Sequence, residues 1–556
     1  MALPSRSVTA HGIQQTLERL DGVDTLDCKY QNTIEWKARG KNLPCKGIAA
    51  RGSPVTNAFR PDHGGAQCIN PQGGTGVAIL FVGLHLHHLQ GLFYADDMVI
   101  FIKPAHQDLQ LLSAIMTTFE QIAGLRTNME KSKATPINCS EEDLQSVTDI
   151  FGCAVEAFPC RYLGVPLSIK RLCRSDEQPI IDAISSRIPT WKGNLLNMAG
   201  HSTLVAATLS AIPVYISIAL CLLPWAIDCI DRCRRAFLWA GAQSVAGGKC
   251  RVAWRVVTIP KELGGLGIVD LCRLGIALRL RWEWLRRTDP TRSWHALPSR
   301  PEQAVHAFFQ VAVHVEVGSG SSTMFWTDRW INGRSVGHIA PVLLAAVPGR
   351  LRRRTPGVED RFVWRFGRDG VYSASSAYRA MFYGSVKLRG ATQLWKAPAL
   401  PKVKFFFWLA IHERCWTASR RKKRGLQDCD LCALCHQAPE TMNHLLCTCV
   451  YTREVWAQLC SAISLVQPVQ EEASAMEQWL GERKLLPKEQ RRAFDALFLL
   501  VSWLIWKERN SQVFERFATM SAWLLPKIRD ECDVWVAAEF RKLAPLIASW
   551  SQIGFM

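Results

Sequence analysis

Leu92-Phe93-Tyr94-Ala95-Asp96-Asp97-Met98-Val99-Ile100-Phe101-Ile102 sets two apolar runs around a pair of adjacent carboxylates. The runs are aromatic and β-branched, and the polar pair interrupts them, so the stretch predicts a β-hairpin with Asp96 and Asp97 near its tip. Neighbouring carboxylates repel each other. Metal-dependent phosphoryl transfer supplies a reason for such a pair, because carboxylates raised clear of a sheet hold two Mg²⁺ ions against a reacting phosphate. Aspartate is also an ordinary turn former, so a plain turn stands beside that reading.

Outward from the hairpin, Val77 to Val82 reads as a buried strand, and Asp108 to Ala123 as an amphipathic helix ended by Gly124. Together these predict an α+β region over residues 76–170. Residues 1–75 show no sustained period and read as loop-rich. The chain reads as helical over 171–299, mixed over 300–392, cysteine-rich over 393–460 and helical again over 461–556. Hydrophobic residues make up 48% of the 556, enough for a real core and too many for a disordered chain. The net charge of +19 favours a polyanionic partner, nucleic acid first. The 20 cysteines are mostly scattered singly, without an apolar leader before them, which suits a reducing, intracellular setting. Most of the 21 tryptophans are expected in the core.

Leu204 to Leu223 carries no charge and is about long enough to cross a bilayer. Its Thr208, Ser210, Pro213, Tyr215 and Ser217 favour the other reading, a buried core helix kinked at Pro213.

The order of several motifs resembles the reverse transcriptases of plant non-LTR (LINE-type) retrotransposons. Tyr94-Ala95-Asp96-Asp97 looks like that family's catalytic hairpin, with Gly91-Leu92-Phe93 as an insertion after His88-Leu89-Gln90. Gly124 to Ser132 and Tyr162-Leu163-Gly164-Val165-Pro166-Leu167 are similar to the two segments that follow it. The likeness continues through Phe237-Leu238-Trp239, Gly264-Gly265-Leu266-Gly267 and Phe325-Trp326-Thr327-Asp328-Arg329-Trp330 to Trp506-Lys507-Glu508-Arg509-Asn510. It covers about residues 76–515. The resemblance implies RNA-directed DNA synthesis, with Asp96 and Asp97 on catalytic Mg²⁺ and Lys131 as general acid toward pyrophosphate. It places Tyr162 to Leu167 beside the primer terminus, and it makes Leu204 to Leu223 a soluble helical segment, so no membrane partner is expected.

One departure is large. The family uses a third carboxylate from an earlier strand, and Asp21, Asp24, Asp27 and Asp62 lack its surroundings. Arg51-Gly52-Ser53-Pro54 is a degraded candidate for the segment that shapes the nucleotide site. The expectation is therefore a truncated derivative, inactive alone, or a non-catalytic zinc-dependent nucleic-acid-binding remnant.

Cys432-Ala433-Leu434-Cys435, His444 and Cys449 follow the spacing C-x₂-C-x₈-H-x₄-C. Three thiolates and an imidazole suit tetrahedral Zn²⁺, and four protein ligands leave no open position, so the zinc would be structural. Glu440-Thr441 and Leu445 stand at the offsets that the resembled family uses. Cys429 and Cys447 are spare thiols that could replace a ligand. Just upstream, Arg420, Arg421, Lys422, Lys423 and Arg424 form a basic run. It suits phosphate contact with RNA or single-stranded DNA; nuclear import and a solvated helix face are the alternatives.

The fold expected is α+β and predominantly helical. It comprises a partial reverse-transcriptase palm, a helical thumb or connection, a small zinc-binding module and a helical C-terminal region.

Overall fold

The computed structural model describes residues 38–40, 90–94, 97–188, 190–292, 302–317, 323–346, 360–463, 474–538, 540–545 and 550. The expected strand over Val77 to Val82, the loop-rich residues 1–37 and 41–75, and Asp96 lie outside them. The described chain is predominantly helical, with nine short strands, and divides into two compact units.

The first unit contains residues 1–179, 216–223 and 275–381. Its five-stranded sheet takes the order β2-β3-β1-β4-β5, formed by β1 (Ala38–Gly40), β2 (Gln90–Tyr94), β3 (Asp97–Phe101), β4 (Lys133–Ala134) and β5 (Ala154–Val155). β2 and β3 form the expected antiparallel hairpin, and Tyr94 pairs with Asp97. β1 lies between β3 and β4 and is antiparallel to both.

Side chains alternate across a strand, and here both faces are covered. Ile100 joins Leu109, Leu112, Ala134 and Val147 in one core, while Val99 packs with Ile137, Phe158 and Tyr162 on the other side. That double burial explains the unbroken apolar run after Asp97. The helix His106–Ala123 supplies Leu109 and Leu112, and Gly124 closes it at φ 65°. Ser140 caps the next helix, Glu141–Phe151, through a capping box with Asp143. β6 (Cys160–Tyr162) and β7 (Val165–Leu167) form a tight hairpin across Leu163 and Gly164, both at positive φ.

A second core of this unit surrounds the antiparallel pair β8 (Val313–Glu316) and β9 (Arg361–Trp364). Its buried side chains include Phe308, Trp364 and Met381. Beside it, Arg287 pairs with Asp328 at 3.1 Å, and the Asp328 carboxylate also accepts the Met324 N–H at 2.8 Å. This bond, together with the Trp330 indole donating to the Phe325 carbonyl, folds the Phe325 to Trp330 motif upon itself.

The second unit contains residues 180–215, 224–274 and 382–556. Arg234 is fully buried there and donates to Asp231, Ser210 and the Val269 carbonyl. Gly265 approaches Ile259 so closely that a Cβ would lie 2.0 Å from its carbonyl oxygen. The buried Trp408 indole donates to the Gly264 carbonyl, so the Gly264 to Gly267 motif serves packing. The helix Arg491–Asn510 runs through the core, where Trp479 stacks on Phe498 at 5.7 Å and Phe407 meets both rings edge-on.

The apolar stretch differs from the expected buried helix kinked at Pro213. The helical run Met198–Ala219 is long and apolar enough to cross a membrane, but only 33% of its most apolar window is buried. Its irregularity lies upstream of Pro213, as a π-helical turn over Val205–Leu209. Ser210 bonds the Val205 carbonyl at 2.7 Å, and the helix resumes at Ile212, leaving Pro213 in a first turn where its missing N–H is tolerated. Farther on, the carbonyls of Ser217 and Leu220 accept from Arg279, and that of Ile218 from the Trp282 indole.

Candidate metal centre and nucleic-acid interface

Cys432, Cys435, His444 and Cys449 converge in the second unit, with their ligand atoms all within 4.8 Å of one another. Each position has a local cause. Leu431 bridges Pro439, and the Cys432 N–H reaches the Ala438 carbonyl at 2.8 Å, so the chain doubles back around the first two thiols. The following His436 has φ 56°, which turns the knuckle. A π-helical turn over His444–Thr448 then places His444 and Cys449 on one side, closed by the Cys449 N–H on the His444 carbonyl at 2.7 Å.

The Cys432 and Cys449 sulfurs are 3.9 Å apart, and Cys435 Sγ is 3.3 Å from His444 Nε2. A tetrahedral zinc with Zn–S bonds of about 2.3 Å has sulfur–sulfur edges of about 3.8 Å, so the donor set fits that ion. His444 Nδ1 faces Thr448 Oγ1 at 3.2 Å. A neutral ring that offers Nε2 to a metal carries its proton on Nδ1, where this hydroxyl accepts it. The two buried thiols share a hydrogen: Cys432 is pushed up to about 12 by its bond to Cys449 and by burial, and that bond holds the Cys449 thiol below its ordinary value. Metal binding must displace this proton.

The spare thiols are elsewhere. Cys429 is exposed, and burial pushes the Cys447 thiol up to about 12, outside the four-residue cluster.

Glu440, between the two ligand pairs, is fully buried and faces Arg509 at 2.6 Å. It also accepts the N–H of Ala418 at 2.7 Å and that of Ala433 at 3.4 Å. Ala433 belongs to the cysteine knuckle, and Ala418 opens the short helix Ala418–Lys423 that carries most of the basic run. Glu440 therefore locks the basic helix to the metal cluster. The reach to Arg509 was not visible in the motif; a lone glutamate between ligand pairs gave only a weak signal.

The basic run is not uniformly solvated. Lys422 pairs with Asp430 at 3.0 Å, Arg421 lies over the Phe514 ring, and Arg420 lies over Trp416 while donating to the Glu413 carbonyl at 2.6 Å. Lys423 and Arg424 are exposed.

In the first unit, Asp97 opens β3 opposite Tyr94, and the flanking β1 is made of Ala38, Arg39 and Gly40, without a carboxylate. Lys131 sits in a turn held by bonds to Asn128. Among the described residues, Cys432, Cys435, His444 and Cys449 form the only group of three or more candidate metal ligands.

Residues 372–456 match the family described as zinc-binding in reverse transcriptase. All four converging residues lie inside that stretch. Over 421 residues the chain is 25% identical to an Arabidopsis thaliana protein provisionally named a ribonuclease H protein. The alignment covers 63% of this chain, which spans 66% of the length of that relative.

Proposed function

We propose that this chain is a retroelement-derived, reverse transcriptase-like protein in which a structural zinc ion holds a nucleic-acid-binding module. The observation that carries the reading is the convergence of Cys432, Cys435, His444 and Cys449 within 4.8 Å, inside residues that match a reverse-transcriptase zinc-binding family. A closed Cys₃His set leaves no position for substrate, so its zinc organises structure. What it organises is basic: the Glu440 carboxylate joins the cysteine knuckle to the first turn of the helix bearing Arg420 to Lys423. With +19 overall, RNA and single-stranded DNA are the partners this surface suits. The motif order quoted above supports a plant LINE-type origin, and with it an ancestry in RNA-directed DNA synthesis.

The test uses the full chain. It should bind one zinc per molecule and bind single-stranded RNA with affinity that falls steeply with salt. Chelation should weaken both fold and RNA binding. A zinc-loaded chain that ignores RNA at low salt would overturn the nucleic-acid reading.

A second reading is hydrolysis, after the name of the Arabidopsis relative. Two-metal nucleic-acid hydrolysis needs clustered carboxylates. The described residues gather thiols and an imidazole instead, which favours binding.

A further inference from the structure

We propose that Arg251, Arg414, Arg420 and Arg424 form one anion site that grips the phosphodiester backbone of a nucleic-acid single strand. It rests on the nucleic-acid reading above and assigns that contact to particular residues, one of them distant in sequence from the basic run.

All four belong to the second unit. Arg420 and Arg424 are four apart at the end of a helix, which places them on one face. The Arg420 guanidinium lies 5.0 Å from the Trp416 ring and donates to the Glu413 carbonyl, which turns it back toward the segment that carries Arg414. The charges of Arg414, Arg424 and Arg251 all act on Arg420. Arg251, from an earlier segment of the same unit, is close enough to Cys415 for its charge to act on that thiol. Its own segment is anchored by the buried Val252 and Val257.

Like charges at such range repel, and proteins ordinarily relieve this with carboxylates. Among the described residues, none of these four arginines makes an ion pair, and Arg251 has no hydrogen-bond partner. Cys415 gives no relief: burial pushes its thiol up to about 12, so it stays neutral. Burial also lowers the Arg251 and Arg420 values, as expected of cations short of compensation. In the rest of the run, Lys422 is paired with Asp430, Arg421 lies over Phe514 and Lys423 is exposed. Among the described residues, Arg420 and Arg424 thus have no carboxylate paired with them, and neither do Arg251 and Arg414.

Arg251 and Arg420 are half-buried, whereas Arg414 and Arg424 are exposed, so the group has depth and opens to solvent. Planar guanidinium forks match phosphate oxygens two at a time. Several forks together suit a ligand with repeated phosphates better than a single small anion.

The test is Arg251→Gln in the zinc-loaded full chain, titrated with a fluorescent oligouridylate strand at several salt concentrations. Each lost phosphate contact should make the log–log salt slope shallower by about 0.7. Arg251→Gln should do so and weaken binding several-fold, while Lys422→Gln should change it less. Wild-type binding with an Arg251→Gln slope equal to wild type overturns this inference and leaves the nucleic-acid reading standing. A wild-type chain that does not bind overturns both. If Arg251→Gln loses zinc or fold, the exposed Arg414→Gln carries the same expectation and the same refutation. Inorganic pyrophosphate that displaces the strand at equal phosphate concentration would assign the site to a small anion, against the proposal.

Discussion

Arg509 donates to both carboxylate oxygens of Glu440, from Nη2 at 2.6 Å and from Nε at 3.1 Å to each oxygen. The two side chains are 1% and 0% exposed. A charge pair so deeply buried gains its stability from complete pairing, and Glu440 uses its oxygens fully, on Arg509 and on the N–H groups of Ala418 and Ala433. One carboxylate thus fastens the metal knuckle, the basic helix and the long helix Arg491–Asn510 to each other.

Removing both partners should cost less than the two single losses added together. Glu440→Gln or Arg509→Met alone leaves an unpaired buried polar group, and each should destabilise the second unit by about 3–5 kcal/mol. The pair Glu440→Gln with Arg509→Met should cost clearly less than the sum. Urea unfolding of the four proteins forms the double-mutant cycle. Additive losses would show that the two side chains do not depend on each other.

The hairpin was legible because the apolar runs around Asp96 and Asp97 and the period of the helix after them are local signals, whereas the unbroken run from Met98 to Ile102 did not show that both faces of β3 are buried. The four cysteine and histidine positions were legible because knuckle spacing is local too. Arg509 was not: it is 69 residues beyond Glu440, and nothing in a helix of apolar residues marks which arginine turns inward. A module drawn from 393 to 460 would therefore leave Glu440 without its partner, and Phe406 without Trp506, on which it stacks at 5.6 Å. Arg251 was invisible for the same reason. The break before Pro213 was misplaced because proline draws attention in sequence, whereas the π turn depends on the Ser210 hydroxyl finding a carbonyl.

Metal removal should separate the thiols. Cys435→Ser deletes one corner of the cluster and should abolish stoichiometric zinc binding in the full chain. Cys429→Ser and Cys447→Ala should keep the zinc, since neither thiol belongs to the cluster. Metal content after gel filtration reads this directly. Zinc retained by Cys435→Ser but lost by Cys447→Ala would reverse the ligand assignment.

Glu482 gives a pH dependence of known sign. Burial raises its carboxyl above the ordinary glutamate value, against the opposing hydrogen bond from Gln478 at 2.9 Å. The unfolded chain releases this proton near pH 4.3, so just above that value the folded state binds more protons (about 4.3 for a free side chain). Stability from this group is therefore present below the unfolded value and lost as pH rises through the folded one. Glu482→Gln removes the titration. Its melting temperature relative to wild type should rise between about pH 4 and pH 7. A constant difference across that range would mean that the carboxyl ionises as freely in the folded chain as in the unfolded one.

The Asp96-Asp97 pair should not support DNA synthesis by this chain alone. Two Mg²⁺ ions bring four positive charges, and in the resembled family a third carboxylate bridges them and fixes their spacing at about 4 Å. In the sheet, β3 lies between β2 and β1, and the β1 residues Ala38, Arg39 and Gly40 include no acid. Without the bridging ligand, both positioning and charge stabilisation of the transferred phosphoryl group are lost. The expected outcome is no extension of a primed RNA template with Mg²⁺ or Mn²⁺, and no difference from Asp96→Asn/Asp97→Asn prepared in parallel. Extension by the parent that vanishes in the double variant would show that an acid outside the described strands, such as Asp21, Asp24, Asp27 or Asp62, completes the metal site.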